Sequence, residues 1–127
     1  MKIFPSYILK MYYYLHVMSD DDLDDFRINE EVCRERLFDA MKADFDTYGP
    51  ISKKRIMEAI EYILISNNVE RYWRSVVPHD VLLDEVEDKA EYLQALYKKL
   101  TGTSPQKVDF GADVELVFGR ADIDTRL

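Results

Sequence analysis

The chain has 127 residues, 47% of them hydrophobic, and one cysteine, enough apolar material for a single core and too few thiols for an internal disulfide. A net charge of −8 excludes the basic surface that grips phosphate backbones, so direct nucleic-acid binding is not expected. Residues 1–50 carry −5, residues 51–75 carry +2 and residues 76–127 carry −5, a distribution that attracts a basic protein partner.

The chain opens on IFPSYILKMYYYLHVM. Following Lys2, this run mimics a secretory signal, but Lys10 and His16 interrupt it, tyrosine dominates it and no small-x-small cleavage site follows. It is also too short and too interrupted to span a bilayer, so a cytoplasmic protein with no membrane attachment is expected. Its length favours a buried helix over residues 6–18, with a tyrosine-rich strand as the alternative. Tyr12, Tyr13 and Tyr14 are consecutive. Helix neighbours diverge by about 100°, so these rings cannot all face one core.

SDDDLDDF, residues 19–26, comes next. Counted as a calcium loop from Asp20, it offers Asp20, Asp22 and Asp24, with Glu31 at the distal ligand position. The pattern then fails: Asp25 stands where glycine makes the sharp turn, and Arg27 stands where an apolar residue packs. Ser19 is instead suited to cap a short helix whose first turn is acidic, with Leu23 and Phe26 turned inward. Capping accounts for two or three of the aspartates. Five crowded like charges repel one another, and the surplus is suited to a partner rich in lysine and arginine.

Asn29 is the expected cap of the following helix, whose stripe runs through Cys33, Leu37, Met41, Phe45 and Tyr48 until Gly49-Pro50 stops it. Ser52 is read as the start of another helix, with Ile56, Ile60, Ile63 and Leu64 inward and Ser66-Asn67-Asn68 as its break. A short amphipathic piece, VERYWRSV, ends before Pro78, and its Val69, Tyr72, Trp73 and Val76 share one face directed at the core. Asp84 and Glu87 stand at capping-box spacing before a helix carrying Val86, Ala90, Leu93, Tyr97 and Leu100, stopped by Gly102. Beyond Pro105 the period changes to two, and Val108, Phe110, Val114, Leu116 and Phe118 predict a small hairpin. The expected architecture is a mainly α, compact domain of about five helices with a C-terminal hairpin over residues 1–118, and a frayed polar tail over residues 119–127.

No cofactor motif appears: the glycines stand at element ends rather than in a phosphate-binding pattern, and His16, His79 and Cys33 have no neighbours at metal-ligand spacing. His79-Asp80 could form an acid–base pair, but no nucleophile or oxyanion site accompanies it.

In size, acidity, the SDDDLDDF stretch and its nine tyrosines, the chain resembles the immunity proteins of bacterial contact-dependent growth inhibition and colicin systems. The resemblance is one of profile and transfers no individual residue. It implies a bacterial cytoplasmic inhibitor, not an enzyme, that binds a cognate toxin and blocks its active site or substrate channel. The toxin is expected to be a nuclease, because nucleases are basic. Charge and aromatic content nominate Asp20, Asp21, Asp22, Asp24, Asp25, Tyr12, Tyr13, Asp84, Glu85 and Asp88 as partner-binding residues, on a monomer without cofactor or metal. Two other readings are a small helical enzyme using His79 and Asp80, and an adaptor self-associating through Tyr12–Tyr14.

Overall fold

The computed structural model describes residues 1–81, 83–119 and 121–124. The protein is mainly α and compact, built around three long helices: α4 (Glu31–Thr47), α5 (Pro50–Ile65) and α7 (Lys89–Thr101). Shorter ones surround them: α1 (Ser6–Leu9), α2 (Tyr13–His16), α3 (Asp20–Asp25) and α6 (Val69–Tyr72), the last continued by a 3₁₀ turn over Trp73–Ser75. The long helices bury stripes at helical spacing: Leu37, Phe38, Met41 and Phe45 from α4; Ile56, Ala59, Ile60 and Ile63 from α5; Tyr92, Leu93, Leu96, Tyr97 and Leu100 from α7. α7 packs against both α4 and α5, and α1 and α2 close the core by packing on α5 and α4 respectively.

Residues 6–18 form two four-residue helices rather than one. Between them Lys10, Met11 and Tyr12 donate to carbonyls three residues back, those of Tyr7, Ile8 and Leu9, which tightens the turn. Tyr12, at φ −94° and ψ 22°, breaks the helical run. The break leaves Tyr7, Ile8, Met11, Tyr12 and Leu15 all buried, and no glycine or internal proline marks it in the sequence.

The predicted hairpin is absent. β1 (Lys2–Ile3) pairs in parallel with β2 (Glu115–Leu116), Ile3 opposite Leu116. Val108 and Phe110 do alternate as half-buried residues, but Phe110 lays its ring edge-on to Tyr62 at 5.7 Å rather than turning back on residues 114–118. The strand at Glu115–Leu116 pairs with a non-local partner, and residues 108–110 join no strand.

α5 begins at Pro50, two residues before the expected Ser52. Asp124, in the tail expected to fray, caps it. Its carboxylate accepts from the backbone N–H of Ser52 at 2.7 Å and of Ile51 at 3.3 Å, and from the Ser52 hydroxyl; its own carbonyl accepts from Gly49 N–H at 2.8 Å. Three orphan amides at the α5 entrance are satisfied from the far end of the chain, and Ala121, in the same C-terminal segment, is buried. Within the expected tail, Arg120 and residues 125–127 lie outside the described residues.

α7 also starts later than expected. Its cap is Asp88, which accepts from Glu91 N–H at 3.0 Å, and Gly102 closes it at φ +78° with N–H donating to Lys98 O at 2.7 Å. Asp88 and Glu91 repeat the Asp84/Glu87 spacing four residues on, so the sequence offers two equivalent starts. Asn29 decides between them. It does not cap α4, whose entrance residue is Glu30. Its amide donates to Glu85 O at 2.8 Å and accepts from Glu87 N–H at 3.0 Å, which keeps residues 85–87 out of helix.

Candidate partner-binding face

Ser19 caps α3 as its sequence implies, its hydroxyl accepting from Asp22 N–H at 3.2 Å. The helix buries none of its own residues; the half-buried Leu23 and the buried Phe26 and Ile28 beyond it hold it to the core. Residues 20–25 are thus helical, not the open loop a calcium site requires. Asp20, Asp21, Asp22, Asp24 and Asp25 are all exposed. None of them takes part in an ion pair among the described residues. Arg27, the nearest cation in sequence, spends its guanidinium on the backbone carbonyls of Asp24 (2.6 Å) and Phe26 (3.3 Å).

Asp80 pairs with His16, not with His79. The His16 Nε2 lies 3.3 Å from the Asp80 carboxylate and its Nδ1 lies 3.0 Å from the Tyr12 carbonyl. Both ring nitrogens therefore face acceptor oxygens. This contact brings the two acidic stretches of the sequence to one side of the molecule. Asp20 and Asp24 from α3 share a cleft of about 480 Å³ with Asp80, its floor made by Met18, Leu23 and Val81. Asp80 and Val81 also line an adjoining groove of about 660 Å³, where Asp84, Glu85 and Glu70 are exposed beside Trp73.

The other nominated residues divide. Tyr13 is 66% exposed, on the outer side of α2. Tyr14 and Val17 border a further cleft with Asp22 and Asp25. Tyr12 is fully buried, its hydroxyl 2.8 Å from that of Tyr92, so it cannot touch a partner. Burial, more than the neighbouring Tyr92, pushes its hydroxyl well above the ordinary tyrosine value. Asp88 remains exposed but is committed to the α7 cap.

Three residues of this face were not singled out for it in sequence. Trp73 is half-buried rather than sealed in the core, its ring edge-on to Tyr92 at 5.5 Å and its other side on the groove. Lys89 Nζ lies 3.0 Å from the carboxylates of both Glu70 and Glu85, and 5.6 Å from the Trp73 ring centroid. Hydrogen bonds to Glu70 and then Glu85 raise its ammonium above the ordinary lysine value. The Glu85–Lys89 spacing of four is visible in the sequence; the approach of Glu70 from α6 is not.

Among the described residues no three His, Cys, Asp or Glu side chains are grouped to hold a metal ion, and no helix is long and apolar enough to cross a membrane. Comparisons with protein-family models, curated proteins and solved structures find no match.

Proposed function

We propose that the protein is a binding module that neutralises a basic toxin, as an immunity protein does, by covering the surface through which the toxin engages its nucleic-acid substrate. The observation that carries this reading is the α3 helix: five exposed carboxylates with no ion-pair partner among the described residues. Elsewhere Asp39, Asp46, Glu70, Glu85 and Glu91 are paired with Lys99, Lys42, Lys89 and Arg34, and Asp88 and Asp124 serve as helix caps; α3 stands out as a run of five carboxylates on one short helix, unpaired among the described residues. A basic partner supplies the cations that α3 lacks, and exposed apolar groups at Tyr13 and Val17 give the contact a desolvated centre beside a charged rim.

The test is to co-express the protein with the product of the neighbouring upstream gene, for which the proposal requires a toxic, basic C-terminal domain, with growth protection as the readout. Replacing Asp20, Asp21, Asp22, Asp24 and Asp25 by Asn is expected to slow association at low salt by about tenfold or more and to flatten its salt dependence. Absence of protection by the unaltered protein, or an association rate indifferent to both salt and the five substitutions, overturns the proposal.

A further inference from the structure

Resting on the reading that a basic protein meets this face, we infer that the groove lined by α6 and by Val77, Asp80, Leu83 and Asp84 receives a lysine or arginine side chain of that partner. The groove, of about 660 Å³, is apolar at its base, where Trp73, Val77, Leu83 and Val86 line it, and acidic at its rim, where Glu70, Asp80, Asp84 and Glu85 stand. A long cationic side chain has the matching two-part character, an apolar stem and a charged head. An anionic ligand fails on charge, because four carboxylates face only two cations of the lining, Arg74 and Lys89. A wholly apolar ligand would strip water from carboxylates without replacing it.

The inner wall already recognises such a group. Lys89 lays its ammonium against Trp73 and between Glu70 and Glu85, with 9% of its side chain exposed. That pairing uses up Glu70 and Glu85 and leaves the outer pair. Asp84 has no cation partner among the described residues, and Asp80 has only His16, an exposed contact at 3.3 Å. The incoming cation therefore meets Asp80 and Asp84, with its stem along Val77 and Leu83.

Trp73 is the only tryptophan in the chain, so tryptophan emission comes from a wall of this groove. Hexa-arginine titrated into the full-length protein at low salt should change the emission saturably, and hexa-glutamate should not. Asp80→Asn with Asp84→Asn should weaken the hexa-arginine response by about tenfold, the loss of two charge contacts. The charge-matched pair Asp109→Asn with Glu115→Gln, away from the groove, should change it by less than about twofold. Equal weakening by both pairs, or no saturable response, overturns the inference. If the Asp80/Asp84 pair lost its circular-dichroism signature of folding, Asp84→Asn alone would serve the same test. The two proposals fail separately. Protection from the toxin that depends on α3 but not on Asp80 and Asp84 removes the groove and keeps the binding module. A groove that takes hexa-arginine in a protein that protects against no toxin does the reverse.

Discussion

Phenylalanine substitution at Tyr12 and Tyr92 tests how the interior is specified. The two hydroxyls lie 2.8 Å apart in a fully buried setting, and among the described residues each is the other's only hydrogen-bond partner. Either single Tyr→Phe change keeps the rings in place, including the edge-on contacts of Tyr92 with Phe38 at 5.1 Å and Trp73 at 5.5 Å. It leaves the other hydroxyl stranded in an apolar core, at a cost of about 1–3 kcal/mol. Removing both takes two polar groups out of the core together and is expected to be near neutral. With a urea dependence of about 1–3 kcal/mol/M, each single variant should lose roughly 1 M in its unfolding midpoint while the double variant recovers most of it. Urea titrations of the four proteins give the coupling energy directly. If the double variant loses the sum of the two singles, the hydroxyls do not depend on each other and the reasoning is wrong. All three variants should bind a basic partner as the unaltered protein does, because Tyr12 never reaches the surface.

The remaining interior contacts make separate predictions. The Ser52 hydroxyl first, then the amides of Ser52 and Ile51, hold the Asp124 carboxyl below its ordinary value of 3.8. A depressed value stabilises the fold above pH 3.8 and loses that contribution as pH falls through the folded value; Asp124→Ala should therefore lower the thermal midpoint at pH 7, with the difference shrinking in acid. Burial pushes Tyr48 and Tyr97 up from 10.0 to about 12, and Tyr12 and Tyr92 move the same way. Raised values stabilise below pH 10 and lose that stabilisation as pH rises further, so alkaline unfolding and tyrosinate absorbance should develop together between pH 10 and 12. Asn29→Ala should cost about 1–2 kcal/mol and speed amide exchange at Glu87, which donates to the Asn29 side chain; unchanged exchange there would remove Asn29 from its role in holding residues 85–87.

Local signals were legible in the sequence wherever they were also decisive. The stripes of α4, α5 and α7, the Ser19 cap and the Gly102 stop all express contacts within about one helical turn. What the sequence could not show depends on which distant group arrives. Asp84 and Asp88 open equivalent capping boxes, and only Asn29, more than fifty residues earlier, selects the second. Leu116 alternates as a hairpin residue should, yet its pairing partner is Ile3. Asp124 reads as part of a polar end until the amides of α5 are seen to need an acceptor. The candidate face followed the same rule. Its charge was plain from SDDDLDDF, but the junction of residues 20–25 with Asp80 and Val81 rests on the His16–Asp80 contact, 64 positions apart, and Tyr12 lost its surface role to a hydroxyl 80 positions away.

The α3 helix separates stability from binding, and the separation can be measured by sign. Asp20, Asp21 and Asp22 occupy its first turn, where the helix dipole favours negative charge, whereas Asp24 and Asp25 occupy its last turn, which holds no basic residue of its own, Arg27 just beyond it bonding the Asp24 carbonyl rather than a carboxylate. The latter two oppose both the dipole and their three neighbours. Neutralising them as Asp24→Asn and Asp25→Asn should therefore raise stability by about 0.3–1 kcal/mol, and added salt should erase part of the gain. The same pair should weaken a basic partner, since α3 buries nothing and its outer charges have no ion-pair partner among the described residues. A residue retained for folding moves both quantities down together. Urea titration beside association kinetics distinguishes the cases: a stability loss on neutralising Asp24 and Asp25 would return these carboxylates to the fold and take from the binding proposal the observation on which it stands.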